Sequence, residues 1–504
     1  MSLRPDNIAS MPARRSGLSR EMGLLGLTAT GICSMIGAAI NVIPFMIQRN
    51  VPGIGPYVLP AFLFAAAPAI LAALAYAILA SAMPRAGGSY IYASRGLNPY
   101  LGFVASFSQW FGLSIAIGVV SYVLIPFLRD IATALGWQAL ASTLNVGSVR
   151  LALALLFLWT FVLVNLRGVQ LYERTLIPLM FLMFLLGGIV IATGFAFDHQ
   201  DFIAAVLARE GRNIGEATAA PFRFDTFLAA AAILFSSFIG FDSIAQAGGE
   251  ARNPGRSLPL AIGIAVVTVG TFYFLFTAAV YHAVPWTYIA DEALKRDLTA
   301  PGLLGYLLPA GWTVAIVAGA AVSLTNDLPA MLLAVSRLMF AWAEDGIFPR
   351  RVAHVHPKWH TPHVAILFSG LMATVGILGS HLAGDFFLGV DILVTSMLVN
   401  FLLMCLSVIT LPRRNPMIAR DVRVLPSRRV QMPLAWLGVL VIGGFLFIHI
   451  WKDFTATASA WYFHSTPVWL IVMVIASAIY FRELRHLRRS GVDVEAIFTK
   501  LPPE

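Results

Sequence analysis

Apolar residues in this chain neither alternate nor form a single stripe; they run together for about twenty positions at a time, separated by short polar stretches. A helix rising ~1.5 Å per residue needs about twenty mostly apolar residues to cross the ~30 Å hydrocarbon layer of a bilayer. Twelve segments meet that requirement: 22–48, 55–82, 98–128, 149–166, 174–197, 226–249, 257–284, 311–343, 363–381, 388–411, 432–452 and 463–482. The fold class expected is therefore an all-α integral membrane protein with about 12 transmembrane helices.

Composition agrees with this and removes other classes. Of the 504 residues, 59% are hydrophobic and 12% charged, against roughly 25% charged in soluble domains. The net charge of +9 does not point to nucleic acid, because the cations sit in short loops rather than on one polar domain. Cys33 and Cys405 each lie inside an apolar run, which places neither for a disulfide or a metal site. No metal and no cofactor are expected.

An even number of spans puts both termini on one side. Of the 34 Lys and Arg residues, 24 fall on that side and 9 on the other, with Arg337 near the inner end of span eight. The positive-inside rule makes the richer side cytoplasmic and predicts a multi-pass protein of the plasma membrane. The organisation expected is a cytoplasmic tail 1–21, a first five-helix unit 22–197, an extracytoplasmic loop 198–225, a second unit 226–411, a loop 412–431, two further helices in 432–482 and a cytoplasmic tail 483–504. No linker is long enough for a soluble catalytic domain, so function must reside among the helices.

A short repeat points to where. Ser34-Met35-Ile36-Gly37 in span one recurs as Ser237-Phe238-Ile239-Gly240 in span six. Span one runs outward and span six inward, so the repeat marks the first members of two five-helix halves of opposite orientation. Both segments are rich in Gly, Ala and Ser at mid-span. Either the small residues let helices pack closely, or the helices unwind there and offer N–H groups to a carboxylate and C=O groups to an ammonium. The paired positions favour the second reading.

Four stretches then resemble the amino acid-polyamine-organocation transporters over roughly residues 23–412: SMIGAAINVIP at 34–44, PRAGGSYIYASRGLNPYLG at 84–102, FSSFIGFDSIAQAGGEARNPGRSLPLAI at 235–262 and SRLMFAWAEDGIFP at 336–349. The resemblance implies two inverted five-helix repeats with broken first and sixth helices, two additional helices, and alternating access about a central site. It places the substrate carboxylate on the amides of Gly37, Ala38 and Ala39. The amino group falls on carbonyls of Met35, Ser236 and Ile239, with Gly240 completing the span-six motif. Phe235 and Phe238 stand beside the family's usual aromatic gate position, which is Ser236 here. Ala39 replaces a common third glycine, and Asn41 a common bulky apolar residue. Proton-coupled members often carry a lysine midway along span five, but residues 177–195 hold no charge. Coupling through such a lysine is not expected.

Acids inside spans are costly, at least about 2.5–3.5 kcal/mol when uncompensated at mid-bilayer. Asp242 is expected to steady the unwound part of span six by accepting backbone N–H bonds. Asp327, in the polar run Ser323-Leu324-Thr325-Asn326-Asp327, is read as a carrier of coupling or cation recognition, the alternative being a cap on backbone freed by Pro329. Ser323 and Asn326 are its companion coupling candidates, and the coupling ion, H+ or Na+, is left open. Asp391 reads as an interfacial acid. Gln109 and Ser108 line either the cavity or an interhelical contact, and the His354–His363 cluster, with Arg350, Arg351 and Lys358, reads as a basic loop facing anionic lipid rather than a metal site.

The function expected is secondary active transport of amino acids, by symport or exchange. Two alternatives stand beside it: a carrier of polyamines or other organic cations, and a membrane sensor that keeps a transporter fold. The sequence has no nucleotide-binding loop and no nucleophile–base pair among the spans, so an enzyme is not expected. The partners expected are a small amino acid or amine and the lipid bilayer.

Overall fold

The computed structural model describes residues 18–214, 221–383, 387–456 and 461–502. Most of the expected tail 1–21 and part of the expected loop 198–225 lie outside the described residues. Twelve helices are long and apolar enough to cross a membrane. The first six are span 1 (Leu24–Asn50), span 2 (Gly55–Ala82), span 3 (Pro99–Ala134), span 4 (Gly147–Leu166), span 5 (Val169–Ala196) and span 6 (Phe224–Gln246). The others are span 7 (Pro254–Ala283), span 8 (Gly311–Glu344), span 9 (His363–Leu382), span 10 (Phe387–Arg414), span 11 (Arg428–Thr455) and span 12 (Ser465–Arg489). Several run past the apolar windows, span 3 to Ala134 and span 12 to Arg489. Hydropathy marks only the stretch in hydrocarbon, whereas a helix continues into water for as long as its own backbone bonds hold.

Packing reveals the inverted repeat more directly than the sequence does. Exchanging each of spans 1–5 with the span five places later maps the main helix contacts onto one another. Span 3 packs on span 10 as span 8 packs on span 5; span 1 packs on span 7 as span 6 packs on span 2. Span 5 meets span 7 as span 10 meets span 2, and span 9 meets span 3 as span 4 meets span 8. Four contacts map onto themselves, 1 with 6, 2 with 7, 3 with 8 and 4 with 9. Successive spans reverse direction, so the halves they relate are antiparallel. Span 11 packs on spans 2, 6 and 10, outside this symmetry.

The burial pattern locates the centre. The apolar windows of spans 1, 3, 6, 8 and 10 are 78–100% buried, whereas those of spans 4, 5, 7, 11 and 12 are 22–33% buried. A peripheral helix turns apolar side chains such as Leu185 and Val267 outward, where lipid rather than water receives them. A central helix has neighbours all round, so whatever polar groups it carries face protein or a cavity.

Candidate substrate site

Both central breaks occur where the repeat lies. Span 1 is helical over Leu24–Met35 and again over Ala38–Asn50, with Ile36 (φ −88°, ψ 88°) and Gly37 (φ −130°, ψ −132°) outside helical geometry. The first N–H groups of the second half have no partner within that helix, and they point back into the break. A Cβ at 37 would overlap the Asp327 carboxylate, so any larger residue there must displace that side chain or the break. Span 6 is helical over Phe224–Leu234, tightens over Phe235–Phe238, then extends at Ile239 (φ −76°, ψ 138°) before the short helix Ser243–Gln246. Gly240, at φ 136°, holds a conformation L side chains rarely adopt, and a Cβ on it would strike the Ser34 carbonyl. The two breaks therefore fit against one another, and the Ser34 and Ser243 hydroxyls join them at 2.8 Å.

Asp242 sits beneath this junction. One carboxylate oxygen accepts the Gly240 N–H at 3.1 Å, and the other accepts the Gln109 side-chain amide. The Gln109 oxygen in turn accepts from Ser89 (2.5 Å), Gln246 (3.3 Å) and Asn400 (3.3 Å), and the Asn400 oxygen accepts from Tyr76 (2.5 Å). The network ties spans 2, 3, 6 and 10 together, and its bonds offset part of the cost of burying a carboxylate. Ser108 likewise bonds between helices, to the Ser396 carbonyl and from Trp469.

A cavity of about 60 Å³ opens against the breaks between spans 1, 3, 6, 8 and 10. Its polar lining consists of Ser34, Ser236 and Asp327; the rest is aliphatic, with Val120 in span 3, Ile239 in span 6 and Leu393 in span 10 as examples. Asp327 is 3% exposed, and its Oδ1 has no hydrogen-bond partner among the described residues. Among the described residues its Oδ1 makes no bond to the backbone that Pro329 frees, the other role open to it from sequence.

The expected site residues separate around this cavity. Met35, Ser236, Ile239 and Asp327 line it. The Met35 carbonyl already accepts a bond from Tyr273, which leaves it one further lone pair. Ala38 and Ala39 start the second half of span 1, but their side chains fall outside the described residues. Phe235 packs on Phe401 and Phe445, and Phe238 on Phe62 and Tyr273, so both rings turn away from the cavity. Asn326 donates to Cys33 (2.8 Å) and to the Leu176 carbonyl (3.4 Å), fixing span 8 to spans 1 and 5. Ser323 bonds its own helix at Gly319 and faces a smaller cleft with Asn41. Of the three coupling candidates, Asp327 alone faces the cavity.

The side of the breaks that carries both described chain ends, the terminal face, is closed. Met22 pairs with the backbone of Glu250 and Arg252, and Gly87 donates to the Gln246 carbonyl at 3.2 Å. Arg337 grips Glu250 through two bonds, of 2.5 and 3.2 Å. The buried helix Gly88–Gly96 lies between spans 2 and 3, and its Arg95 meets Asp345 at 2.5 Å. Burial works against the Arg95 charge, yet Asp345 outweighs it and holds the guanidinium pKa above its ordinary value. The cavity lies across the breaks from this seal, toward Val42, Val123 and Gly389. Sequence reading missed these ion pairs, although all four charges stand inside or beside the quoted motifs.

Two antiparallel five-helix halves, broken at paired positions around a small cavity closed on one side, define a helical membrane carrier. The sequence profile described as "Amino acid permease" matches residues 22–476, and the chain belongs to that family. The branched-chain amino acid permease BcaP of Bacillus subtilis is 27% identical over 429 residues, covering 82% of this chain and 85% of that one. Human cationic amino acid transporter 4 is 29% identical over 372 residues, covering 71% of this chain and 55% of that one. The low-affinity putrescine importer PlaP of Escherichia coli is 25% identical over 343 residues, covering 68% and 69%.

Proposed function

We propose that this protein is a secondary active transporter that moves an amino acid with an apolar side chain across the plasma membrane by alternating access. The observation that carries this reading is the composition of the cavity, one unpartnered carboxylate in an aliphatic wall beside two broken helices. The amides after Gly37 receive the substrate carboxylate, the carbonyls of Met35, Ser236 and Ile239 receive its ammonium, and Val120, Ile239 and Leu393 receive its side chain. Similarity to a branched-chain amino acid permease supports the same class. A polyamine carries two or more ammonium groups, and the similarity to a putrescine importer keeps that alternative in view. The cavity supplies one free carboxylate, because both oxygens of Asp242 are already bonded.

Asp327 provides the coupling. A buried carboxylate without a partner is too costly to remain ionised alone, so a cation accompanies it in each state, whether a proton or the substrate ammonium. Competition between the two for one carboxylate makes movement of substrate depend on movement of protons. The charge bias supports a cytoplasmic side for both termini, and the substrate leaves chemically unchanged.

Counterflow in proteoliposomes tests this. Liposomes preloaded with one unlabelled compound at a time, with the labelled form of that compound outside and at two pH values with and without sodium, should show stimulated uptake for apolar amino acids and a dependence on pH. Stimulation by putrescine or agmatine and not by amino acids would replace the reading with the organic-cation one. Binding without any flux would make the protein a sensor.

A further inference from the structure

Away from the breaks, the terminal face holds a concavity of about 990 Å³ whose charge is strongly one-sided. Arg20, Arg85, Arg252, Arg256 and Arg423 line it, and among the described residues Asp421 is its one acidic lining residue. These arginines come from four separate stretches of chain: the approach to span 1, the exit of span 2, the start of span 7 and the connection between spans 10 and 11. Folding has thus gathered cations that the sequence keeps far apart. They repel one another, and burial, followed by the neighbouring Arg20, presses the Arg85 pKa below its ordinary value. Outside the lining, Glu21 and Glu173 act electrostatically on Arg252, and Glu344 on Arg85. Arg252, Arg256 and Arg423 are exposed and make no ion pair among the described residues.

The edge of this concavity tells which anion it suits. Leu24, in the first turn of span 1, and Leu260, in the second turn of span 7, line it and remain 37% and 46% exposed. They begin the apolar part of two membrane-crossing helices, so the concavity straddles the level where hydrocarbon gives way to headgroups. A soluble anion has no use for an apolar lip, whereas a lipid presents a phosphate and its acyl chains at just this boundary. Basic pockets between helix ends on the positively charged side are suited to such headgroups, and guanidinium forks match phosphate oxygens in pairs.

We propose that this pocket binds the phosphate headgroup of an anionic membrane lipid, with the acyl chains leaving over Leu24 and Leu260. A phosphate held there bridges four segments that come together on the closed terminal face. The inference does not depend on which solute the carrier moves.

The test uses the full chain in mixed micelles of phosphatidylcholine and phosphatidylglycerol, with lipid retention read by native mass spectrometry. The triple variant R252Q/R256Q/R423Q should retain phosphatidylglycerol roughly a hundredfold less well, at about fivefold per arginine. A second triple variant, R413Q/R414Q/R429Q, removes the same charge from exposed positions outside the pocket and should retain the lipid as the parent does. Equal retention by all three proteins, or equal loss in both variants, would overturn the proposal in favour of general surface attraction. Displacement of the lipid by inorganic phosphate or glycerol phosphate at comparable concentration would overturn the lipid assignment in favour of a soluble anion. Unfolding temperatures in phosphatidylcholine alone should match across the set; if the first triple variant does not fold, R256Q/R423Q gives the same reading at about a twenty-fivefold loss.

Discussion

The Arg337 guanidinium meets the Glu250 carboxylate at 2.5 Å with each side chain 2% exposed, joining span 8 to the exit of span 6 directly beneath the broken helices. The same glutamate's carbonyl receives the Met22 N–H at 2.9 Å, so one residue fastens span 8 and the chain entering span 1. The pair is therefore part of the closure between the cavity and the terminal face. Removing one partner of a buried pair leaves the other charge uncompensated, typically at about 3–5 kcal/mol. Glu250→Gln and Arg337→Gln should each lower the unfolding temperature and, in a Cys405→Ser background, speed maleimide labelling of Cys33, which is fully buried beside Asn326. The charge-exchanged double variant E250R/R337E should recover part of both losses. Single variants as stable and as unreactive as the parent would remove the pair from the closure.

The Asp327 carboxylate occupies the space that a Cβ on Gly37 would need. Gly37→Ala should leave the protein folded but displace the carboxylate or the break, at the ~1–3 kcal/mol typical of overpacking, and cut initial uptake about tenfold or more. Asp327→Asn keeps the shape and removes the charge. Uptake by that variant should lose its dependence on pH, whereas Gly37→Ala should keep the dependence at a lower rate. Transport by Asp327→Asn that follows the parent's pH profile would exclude Asp327 from coupling.

The spans were legible because lipid imposes a length and a composition on any helix that crosses it; the ends differed by several residues, some prolonged by polar residues as at Arg489, others short of the expected bound as at Gln246. The breaks were legible at Gly37 and Gly240 because an unusual residue choice recurs at matching places in two halves. Side-chain direction was not. Phe235 and Phe238 sit one and two residues from Ser236, yet a tightened turn followed by an extended residue rotates both rings into the helix packing. Nor could one sequence pair Glu250 with Arg337, which are 87 residues apart, or gather the five arginines of the lipid pocket, because those contacts are made by the fold and leave no local pattern.

Gln109 holds its place by serving both sides of a polar network, donating to Asp242 and accepting from Ser89, Gln246 and Asn400. Gln109→Ala would strand one oxygen of Asp242, and an unsatisfied buried polar group costs about 1–3 kcal/mol, more when it is charged. The variant should melt at lower temperature and bind substrate more weakly, since Asp242 also fixes the Gly240 amide next to the cavity. Gln109→Glu should be worse than alanine, because it places a second carboxylate against the first. Thermal unfolding and substrate protection against unfolding would check both; a glutamate variant more stable than the alanine one would contradict the network's polarity.

On the face across from the chain ends, Glu292 closes a cluster of three cations, with Arg212 at 2.6 Å, Arg296 at 3.0 Å and Lys295 at 3.2 Å. It belongs to the short helix Trp286–Ala293, which covers the second half of span 1. Burial works to raise its pKa, but Arg212, Lys295 and Arg296 outweigh burial and hold it below the ordinary value of 4.5. A carboxyl whose folded pKa is depressed adds stability that is present in full above the unfolded value and is lost as pH falls through the folded one. The cover should therefore stay fastened at neutral pH and loosen only below about pH 4.5, the carboxyl's ordinary value. Hydrogen exchange across 286–296, followed from neutral pH into that acid range after correction for intrinsic rates, should show protection falling with acid in the parent. Glu292→Gln should exchange faster throughout and show no such acid step. An acid step that survives in Glu292→Gln would assign the loosening to another carboxylate.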